Sequence, residues 1–233
     1  MMKCSVCDTV TQIPCIFSAL EGKGAKQVRQ CSRSIMTRQN ELIFQQGSSA
    51  AEIALLCRGK MQLAGRTSLG QRLLLRFVRS GELLGTASLA GRPRYAVCAL
   101  AFEEAQVRFI HHENLDRLCA SYPPVAKVLI GQLAAAQYRV CRQVGRLAGA
   151  NARERVVQLL LSLCEAYGYE AEEGSWQVDL RLTESVLGEM IGLSRATISR
   201  ELSRLRREEL IERTGQTIMI QDKHELKRII SSL

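Results

Sequence analysis

Apolar positions recur with a helical period in the most informative stretch of the chain, residues 194–220. In its first half, Ile198, Leu202 and Leu205 are spaced three or four residues apart, as on one face of a helix. Ser194 is a suitable N-cap because its hydroxyl can accept a hydrogen bond from the free amides of the first turn. The pattern predicts a helix that buries its leucines and exposes arginines and small polar groups.

A shorter amphipathic segment precedes this helix and predicts a partner for it. Thr183 is a good N-cap, Glu184 suits the first turn, and Gly192 is placed to end the helix in the left-handed conformation. After the second helix, β-prone runs at 210–213 and 216–220 flank a Thr-Gly turn. Together these elements predict a winged helix-turn-helix, a fold that places its second helix in the major groove of DNA.

The first half of the chain has a different pattern, in which short apolar runs are separated by glycines. Strands are expected at 41–44, 53–57, 60–63 and 72–78. Regularly spaced strands with glycine at the junctions predict an all-β barrel or roll. A short helix is expected before them, from Ser18 through Val28.

A long helix is predicted after the Pro-Pro pair at 123–124, because residues 125–147 contain no proline. Its apolar seam is expected at 129, 133, 136, 140, 144 and 147. Such a seam packs against a partner helix or against the helix's own domain. The helix-turn-helix favours a dimer, since these proteins commonly bind two half-sites as symmetric dimers. A helix at 152–167 and a strand at 176–180 complete the pattern.

The patterns combine into an α+β fold with three parts. We expect a cysteine-bearing lead and β-roll sensor domain at 1–122, a dimerisation helix at 123–149, and a winged helix-turn-helix DNA-binding domain at 150–233. A chain of 233 residues is long enough for two modest domains.

The local distribution of charge supports DNA binding, whereas the overall net charge adds little. The net charge is +9, yet residues 150–233 carry 12 Lys and Arg against 14 Asp and Glu. Within residues 194–207, however, five arginines face one glutamate. Because phosphate contacts depend on local positive charge, this cluster supports DNA binding better than the overall charge does.

Nine cysteines are scattered along the chain, an odd number that does not suggest a disulfide framework. The chain shows neither a secretory signal nor an apolar run long enough to span a bilayer, so we expect a cytoplasmic protein without membrane contact. In a reducing compartment the cysteines are thiols, metal ligands or redox sensors. Four of them lie in apolar runs and are expected in the core: Cys57, Cys119, Cys141 and Cys164.

The order of β-roll, long helix and winged helix-turn-helix resembles the CRP/FNR superfamily of transcription regulators over nearly the whole chain. The segments most similar to the family are 154–156, 159–161, 182–192, 197–200 and 210–211. The turns at 59–61 and 81–85 look like the family's β-roll turns. The resemblance implies a jelly roll of the cyclic-nucleotide-binding type, a homodimer, double-stranded DNA as partner and contact with RNA polymerase.

The resemblance also implies that the second helix contacts bases. The DNA-binding positions expected from it are Arg195, Ala196, Thr197, Ser199, Arg200, Ser203 and Arg207. Arginine suits guanine because its fork can donate to O6 and N7 together. Ala196 stands where family members usually have glutamate, so the family's consensus operator is not carried over to this chain.

The family's cyclic-nucleotide site is altered in this chain. Gly85, Thr86, Arg94 and Tyr95 are the candidate effector-binding residues. Thr86 replaces the glutamate that binds the ribose hydroxyl, and Tyr95 is bulky where a small hydroxyl residue follows the phosphate-binding arginine. Cyclic AMP is therefore disfavoured, whereas a different anionic ligand at Arg94 is not.

The FNR-like branch of the family holds a [4Fe–4S] cluster, and this chain has a comparable set of cysteines. Cys4-x-x-Cys7 followed by Cys15 resembles the N-terminal ligands, although the second gap is longer than usual. The fourth family position aligns near Gln106, which cannot ligate, so Cys98 or Cys31 is the expected substitute. A cluster, a zinc or redox thiol site, and plain thiols without a cofactor all stay open.

The function predicted from these features is a dimeric transcription regulator. Its β-roll senses a redox signal or a small effector, and its helix-turn-helix binds a palindromic operator. The alternative is an effector-binding module whose winged helix binds a protein partner. An enzyme is rejected, because we find no paired carboxylates at nucleophile spacing, no phosphate loop and no catalytic triad.

Overall fold

A computed structural model of the chain describes residues 2–7, 9–11, 13–18, 20–66, 72–91, 94–147, 151–171 and 174–231. The chain forms two compact units, Met1–Arg139 and Val140–Leu233. No helix within the described ranges is both long and apolar enough to cross a membrane. The expected three-part division stays a prediction, and residues 148–150 at its second boundary lie outside the described ranges.

The first unit begins with the segment that carries Cys4, Cys7 and Cys15, which we call the cysteine lead (residues 2–20). Its strands β1 (Met2–Cys4) and β2 (Thr9–Thr11) pair in antiparallel fashion. Helix α1 (Gly22–Gln30) follows. The predicted start of this helix at Ser18 is wrong, because the amide of Ser18 donates to the carbonyl of Cys15 in a separate turn (3.0 Å).

Two antiparallel four-stranded sheets form the β-roll and confirm the predicted fold. The strands in chain order are β3 (Ser32–Thr37), β4 (Leu42–Phe44), β5 (Glu52–Arg58), β6 (Met61–Arg66), β7 (Arg72–Val78), β8 (Leu83–Leu84), β9 (Cys98–Ala101) and β10 (Ala105–His111). One sheet has the order β3-β10-β5-β8 and the other β4-β9-β6-β7. A 3-10 turn (Thr86–Ala90) follows β8.

The first of these sheets is covered on both faces, and strand β5 shows how. Ala54 and Leu56 point into the core between the two sheets. Ile53, Leu55 and Cys57 point the other way and pack with the cysteine lead and α1. Because side chains alternate along a strand, a sheet buried on both faces has a nearly continuous apolar run on its central strands.

Two helices end the first unit. Helix α2 (His112–Ser121) packs Leu115 and Leu118 into the lead-facing core. Helix α3 (Pro123–Leu147) begins as a continuation of that core, since its residue Leu129 packs against it. The predicted seam position Leu129 therefore serves the chain's own core, while the neighbouring Ile130 is 65% exposed. Seam positions 144 and 147 lie among residues whose side chains are outside the described part.

The second unit is a winged helix-turn-helix. Its elements are α4 (Ala152–Tyr167), β11 (Gly168–Glu170), β12 (Trp176–Val178), α5 (Glu184–Ile191), α6 (Arg195–Arg207), β13 (Ile211–Thr214), β14 (Thr217–Ile220) and α7 (Lys223–Ser231). The four strands form one antiparallel sheet in the order β11-β12-β14-β13. A capping box between Asn151 and Glu154 fixes the start of α4.

Candidate functional site

Side-chain caps and a glycine turn fix the geometry of the helix-turn-helix. The Thr183 hydroxyl accepts from the amide of Val186 (3.2 Å), and the Ser194 hydroxyl accepts from the amide of Thr197 (3.1 Å). Gly192 ends α5 with φ of 67°, a conformation that glycine adopts without strain. The predicted caps and the C-terminal glycine are all confirmed.

Helix α6 divides into a buried face and an open face. Ile198, Leu202 and Leu205 are buried in the core of the second unit. The residues predicted to bind DNA are exposed or half-buried: Arg195, Ala196, Thr197, Ser199, Arg200, Ser203 and Arg207. A helix of this kind presents a row of donors to solvent and is held in place by its apolar side. Their contact with bases stays a prediction.

Glu184 organises part of this surface. Its carboxylate pairs with Arg195 from α6 (3.3 Å) and with Arg213 from the wing strand β13 (3.0 Å). Partial burial would raise the pKa of Glu184, but hydrogen bonds from Arg195, Ser199 and Arg213 lower it below its ordinary value. The carboxylate is thus ionised near neutral pH and links the first helix of the motif to the second helix and the wing.

Three arginines of α6 lack such a partner. In the described ranges, no carboxylate lies within ion-pair distance of Arg200, Arg206 or Arg207, whereas Arg204 pairs with Glu208 (3.3 Å). The nearest polar contact of Arg200 is a long one to the Thr197 hydroxyl (3.5 Å). Arg200, Arg206 and Arg207 are therefore the α6 cations most available to an anionic ligand.

The cysteine lead gathers its three cysteines into one group. The sulfurs of Cys4, Cys7 and Cys15 all lie within 4.8 Å of one another, and all three residues are buried. The sulfurs of Cys4 and Cys15 are 3.5 Å apart. The sequence predicted these three residues as a set, and the fold brings them together.

The structure does not bring the expected fourth ligand, Cys98, to this group. Cys98 lies on β9, in the sheet β4-β9-β6-β7, and its sulfur accepts from the amide of Gln46 (3.3 Å). Cys31 donates to the carbonyl of Val28 instead. The sulfur beside the group is that of Cys57, which lies 3.0 Å from the Cys7 sulfur. Sequence analysis placed Cys57 in the core, because its strand consists almost wholly of apolar residues.

The predicted burial of the other three core cysteines is not confirmed for all of them. Cys164 is buried as predicted, and Cys119 is half-buried against the lead-facing core. Cys141 is exposed on α3, so its predicted burial is wrong. An apolar run on a helix that is only partly covered does not tell which of its positions face solvent.

Electrostatics within the thiol group single out Cys7. Its pKa is lowered well below the ordinary value because it accepts hydrogen bonds from Cys15, Cys4 and Cys57, and because Arg108 lies close by. Hydrogen bonding to Cys7 and burial raise the pKa of Cys57. The group thus favours one thiolate, at Cys7, surrounded by thiols.

The candidate effector residues are not gathered into an open site. Tyr95 is buried, stacks on Phe44 (ring centroids 3.9 Å apart) and donates its hydroxyl proton to the carbonyl of Glu52 (2.8 Å). Its ring also fills the space beside Gly85. Arg94 is exposed and donates to the carbonyl of Gly47 (2.6 Å).

Thr86 is the remaining candidate. It lines a small cavity together with Glu82 and Arg139. Burial would raise the pKa of Glu82, but the guanidinium groups of Arg76 and Arg139 lower it below its ordinary value. The roles of the four effector residues stay predictions.

Comparison with known proteins identifies both units. Residues 36–122 match the cyclic nucleotide-binding domain, and residues 154–229 match the Crp-like helix-turn-helix domain. The two matches cover the roll and the winged helix-turn-helix described above.

Whole-chain relatives agree with these domains. The global nitrogen regulator of Synechococcus elongatus is 27% identical over 192 residues, which cover 82% of this chain and 83% of that protein. The cAMP-activated global transcriptional regulator CRP of Pasteurella multocida is 27% identical over 176 residues, covering 75% and 83%. The structure of a CooA mutant from Carboxydothermus hydrogenoformans matches with a TM-score of 0.80 at 16% identity, covering 94% and 97%.

Proposed function

Because this chain belongs to the CRP/FNR superfamily of transcription regulators, we propose that two copies of it bind a palindromic operator in double-stranded DNA. The chain combines a domain of the effector-binding type with a helix-turn-helix domain. Its relatives are regulators of transcription and not enzymes.

The single observation that carries the proposal is the open face of α6. Its leucines hold the helix in the core, and Arg200 and Arg207 point outward without a carboxylate partner among the described residues. In a helix-turn-helix this face enters the major groove, where arginine donates to guanine. Ala196 offers apolar contact to a thymine methyl in place of a polar base contact.

The proposed dimer forms through α3. This helix leaves Ile130 65% exposed and Tyr138 64% exposed, eight residues apart, with the small residue Ala134 between them. Positions four residues apart lie on one face of a helix. A second copy of the same helix is the partner that such a face fits best in a helix-turn-helix regulator, since its two-fold axis sets the half-site spacing.

The signal is proposed to act at the cysteine lead and not at a cyclic-nucleotide site. Tyr95 occupies the space beside Gly85 with its own ring, which supports the expectation that cyclic AMP is disfavoured. The lead, in contrast, offers three buried sulfurs within 4.8 Å, and thiolates are the ligands that iron–sulfur clusters and zinc prefer. Cys4, Cys7 and Cys15 would hold such a group, which would supply redox or metal responsiveness.

The proposal is tested by DNA binding of the purified, anaerobically handled protein. A randomised duplex library selected on the protein should yield a palindromic site, and its affinity should fall steeply as salt is raised, because phosphate-bound counterions are released on binding. Gel filtration of the complex should give two chains per duplex. A failure to enrich any sequence, with binding to a protein partner instead, would favour the alternative of an effector-binding module.

A further inference from the structure

Cys57 shares a face of its sheet with the cysteine lead. On β5, Ile53, Leu55 and Cys57 point toward the lead, since side chains alternate along the strand. The Cys57 sulfur lies 3.0 Å from that of Cys7, and the Thr9 hydroxyl of β2 donates to the Cys57 carbonyl (3.1 Å). Strand β5 is thus hydrogen-bonded to the lead at the residue where the sulfurs meet.

Arg108, on the neighbouring strand β10, points to the same place. It is only 8% exposed, and in the described ranges no carboxylate lies within ion-pair distance of it. One terminal nitrogen donates to the Ser32 hydroxyl (3.0 Å), and the other reaches the carbonyl of Val6 (3.5 Å), between Cys4 and Cys7. Its Nε is buried without a hydrogen-bond partner.

We propose that Cys57 is the fourth ligand of a four-thiolate metal centre with Cys4, Cys7 and Cys15, and that Arg108 is its buried counter-charge. The inference rests on the proposed sensing role of the lead and names the residues that complete it. A fourth ligand on β5 ties the lead to the roll, so that metal loading and the attachment of the lead become one event.

Charge balance is the first argument. A buried guanidinium without an anion is costly, and folds tolerate one where a negative group compensates it. Four thiolates around a divalent ion or a [4Fe–4S] core leave a net negative charge, which Arg108 partly neutralises.

Geometry is the second argument. A tetrahedral ion with metal–sulfur bonds of about 2.3 Å holds its sulfurs about 3.8 Å apart. The Cys7 and Cys57 sulfurs are 3.0 Å apart and those of Cys4 and Cys15 are 3.5 Å apart, both near that value. The sulfurs of Cys4, Cys7 and Cys15 all lie within 4.8 Å of one another. A [4Fe–4S] cluster would be held by the same four thiolates. A single ion and a cluster would therefore have the same chemistry, a soft metal bound by four sulfurs.

The test compares full-length variants purified without oxygen, with iron, zinc and sulfide measured per chain after a chelator challenge. Cys57→Ser should lose about tenfold or more of the retained metal. Cys98→Ser, which removes the ligand expected from sequence, should retain the wild-type amount. Circular dichroism and gel filtration verify that each variant is folded, so that lost metal is not mistaken for lost structure.

Arg108 is tested as a positioning residue. Arg108→Gln should weaken metal affinity by about 10–100-fold, the range found when groups around metal ligands are removed. Arg108→Lys keeps the positive charge and should restore most of that affinity. Equal loss in both variants would overturn the counter-charge role.

The remaining outcomes separate this inference from the proposed function. Iron with matching sulfide identifies a cluster, and one zinc without sulfide identifies a single ion; either result with loss in Cys57→Ser supports four thiolates. Wild-type metal retained by Cys57→Ser overturns the ligand assignment and leaves the metal sensor standing. A metal-free wild type overturns both the sensor and this inference, while DNA binding is judged separately.

Discussion

The side-chain amide of Gln132 donates to the carbonyl oxygen of Pro14 at 2.8 Å. The same amide donates to the carbonyl of Gly81 (2.8 Å), and its oxygen accepts from the amide of Leu83 (3.0 Å). Gln132 lies on α3, and Pro14 immediately precedes Cys15. One side chain therefore connects the proposed dimer helix, the cysteine lead and a turn of the roll.

We expect the hydrogen bonds of Gln132 to transmit the state of the cysteine site to α3. In Gln132→Ala the lead loses its hydrogen bond to the helix, so metal loading should change DNA affinity by a smaller factor than in wild type. The amide of Leu83 also loses its acceptor, which should lower the free energy of unfolding by about 1–3 kcal/mol. DNA titrations with and without metal, and urea unfolding, measure the two effects.

Gln137→Ala is the matched control, because Gln137 is exposed on the same helix. It should leave both the coupling and the stability close to wild type. If metal changes the DNA affinity of Gln132→Ala by the same factor as in wild type, the hydrogen bonds of Gln132 do not transmit the signal.

The open face of α6 predicts a specific effect for Arg200→Ala. Loss of a two-pronged contact to guanine should weaken binding to the selected operator by about 1–3 kcal/mol and relax the preference at one base pair. Competition titrations against single-base variants of the operator measure both. Arg117→Ala removes an exposed arginine from α2 and should leave the base preference intact. Unchanged specificity in Arg200→Ala would remove it from the base-contacting residues.

Gly188 lies where the helix-turn-helix leaves no room for a side chain. A Cβ at this position would overlap the carbonyl oxygen of Leu193, a backbone atom of the turn that cannot move independently. Gly188→Ala should therefore destabilise the second unit by about 1–3 kcal/mol and weaken DNA binding by displacing α6. Thermal unfolding and DNA titration provide the measurements.

Gly65 provides the comparison for that substitution. It lies in β6 with ordinary backbone geometry, and a Cβ added there would have no heavy atom within 4 Å, so Gly65→Ala should be nearly neutral. Equal stability of the two alanine variants would contradict the proposed close approach at Gly188.

The ion pairs of Glu82 should make the free energy of unfolding depend on pH. Its buried carboxylate pairs with Arg76 (2.5 Å) and Arg139 (3.4 Å), and its pKa is lowered in the folded state. A lowered pKa means that the ion pairs stabilise the fold above the ordinary value of 4.5, and that this stabilisation is lost as the pH falls below it. Glu82→Gln should lower the free energy of unfolding by about 1–3 kcal/mol at pH 7, since both arginines are partly exposed.

Urea unfolding at several pH values measures this effect. The difference between wild type and Glu82→Gln should narrow as the pH drops below about 4.5. Glu113→Gln, a change at an exposed glutamate of α2, should show only a small difference throughout. A gap for Glu82→Gln that stays constant into the acid range would contradict the ion-pair account.

Local signals in the sequence were sufficient to predict the helix-turn-helix. Ser194, Thr183 and Gly192 act on the backbone within three residues of themselves, so their roles follow from residue type and position. The helix at 152–167 and the strand at 72–78 have the predicted bounds.

The complete cysteine site could not be predicted, because it depends on contacts between distant parts of the chain. Cys7 and Cys57 are fifty residues apart, and only the pairing of the lead with β5 brings them together. One signal was available in the sequence. Arg108 interrupts the apolar run of β10, and a cation in a strand buried on both faces suggests an anion nearby. Cys98 was expected as the fourth ligand, but its strand belongs to the other sheet.

We propose that a metal centre in the cysteine lead controls DNA binding, and this coupling can be measured. It is tested most directly by measuring the affinity of one anaerobic preparation for its selected operator when loaded, after chelation and after reloading. We expect the affinity to change by about 5–150-fold on metal removal, as for a typical allosteric coupling, and to return on reloading. The same affinity in all three states would contradict the account.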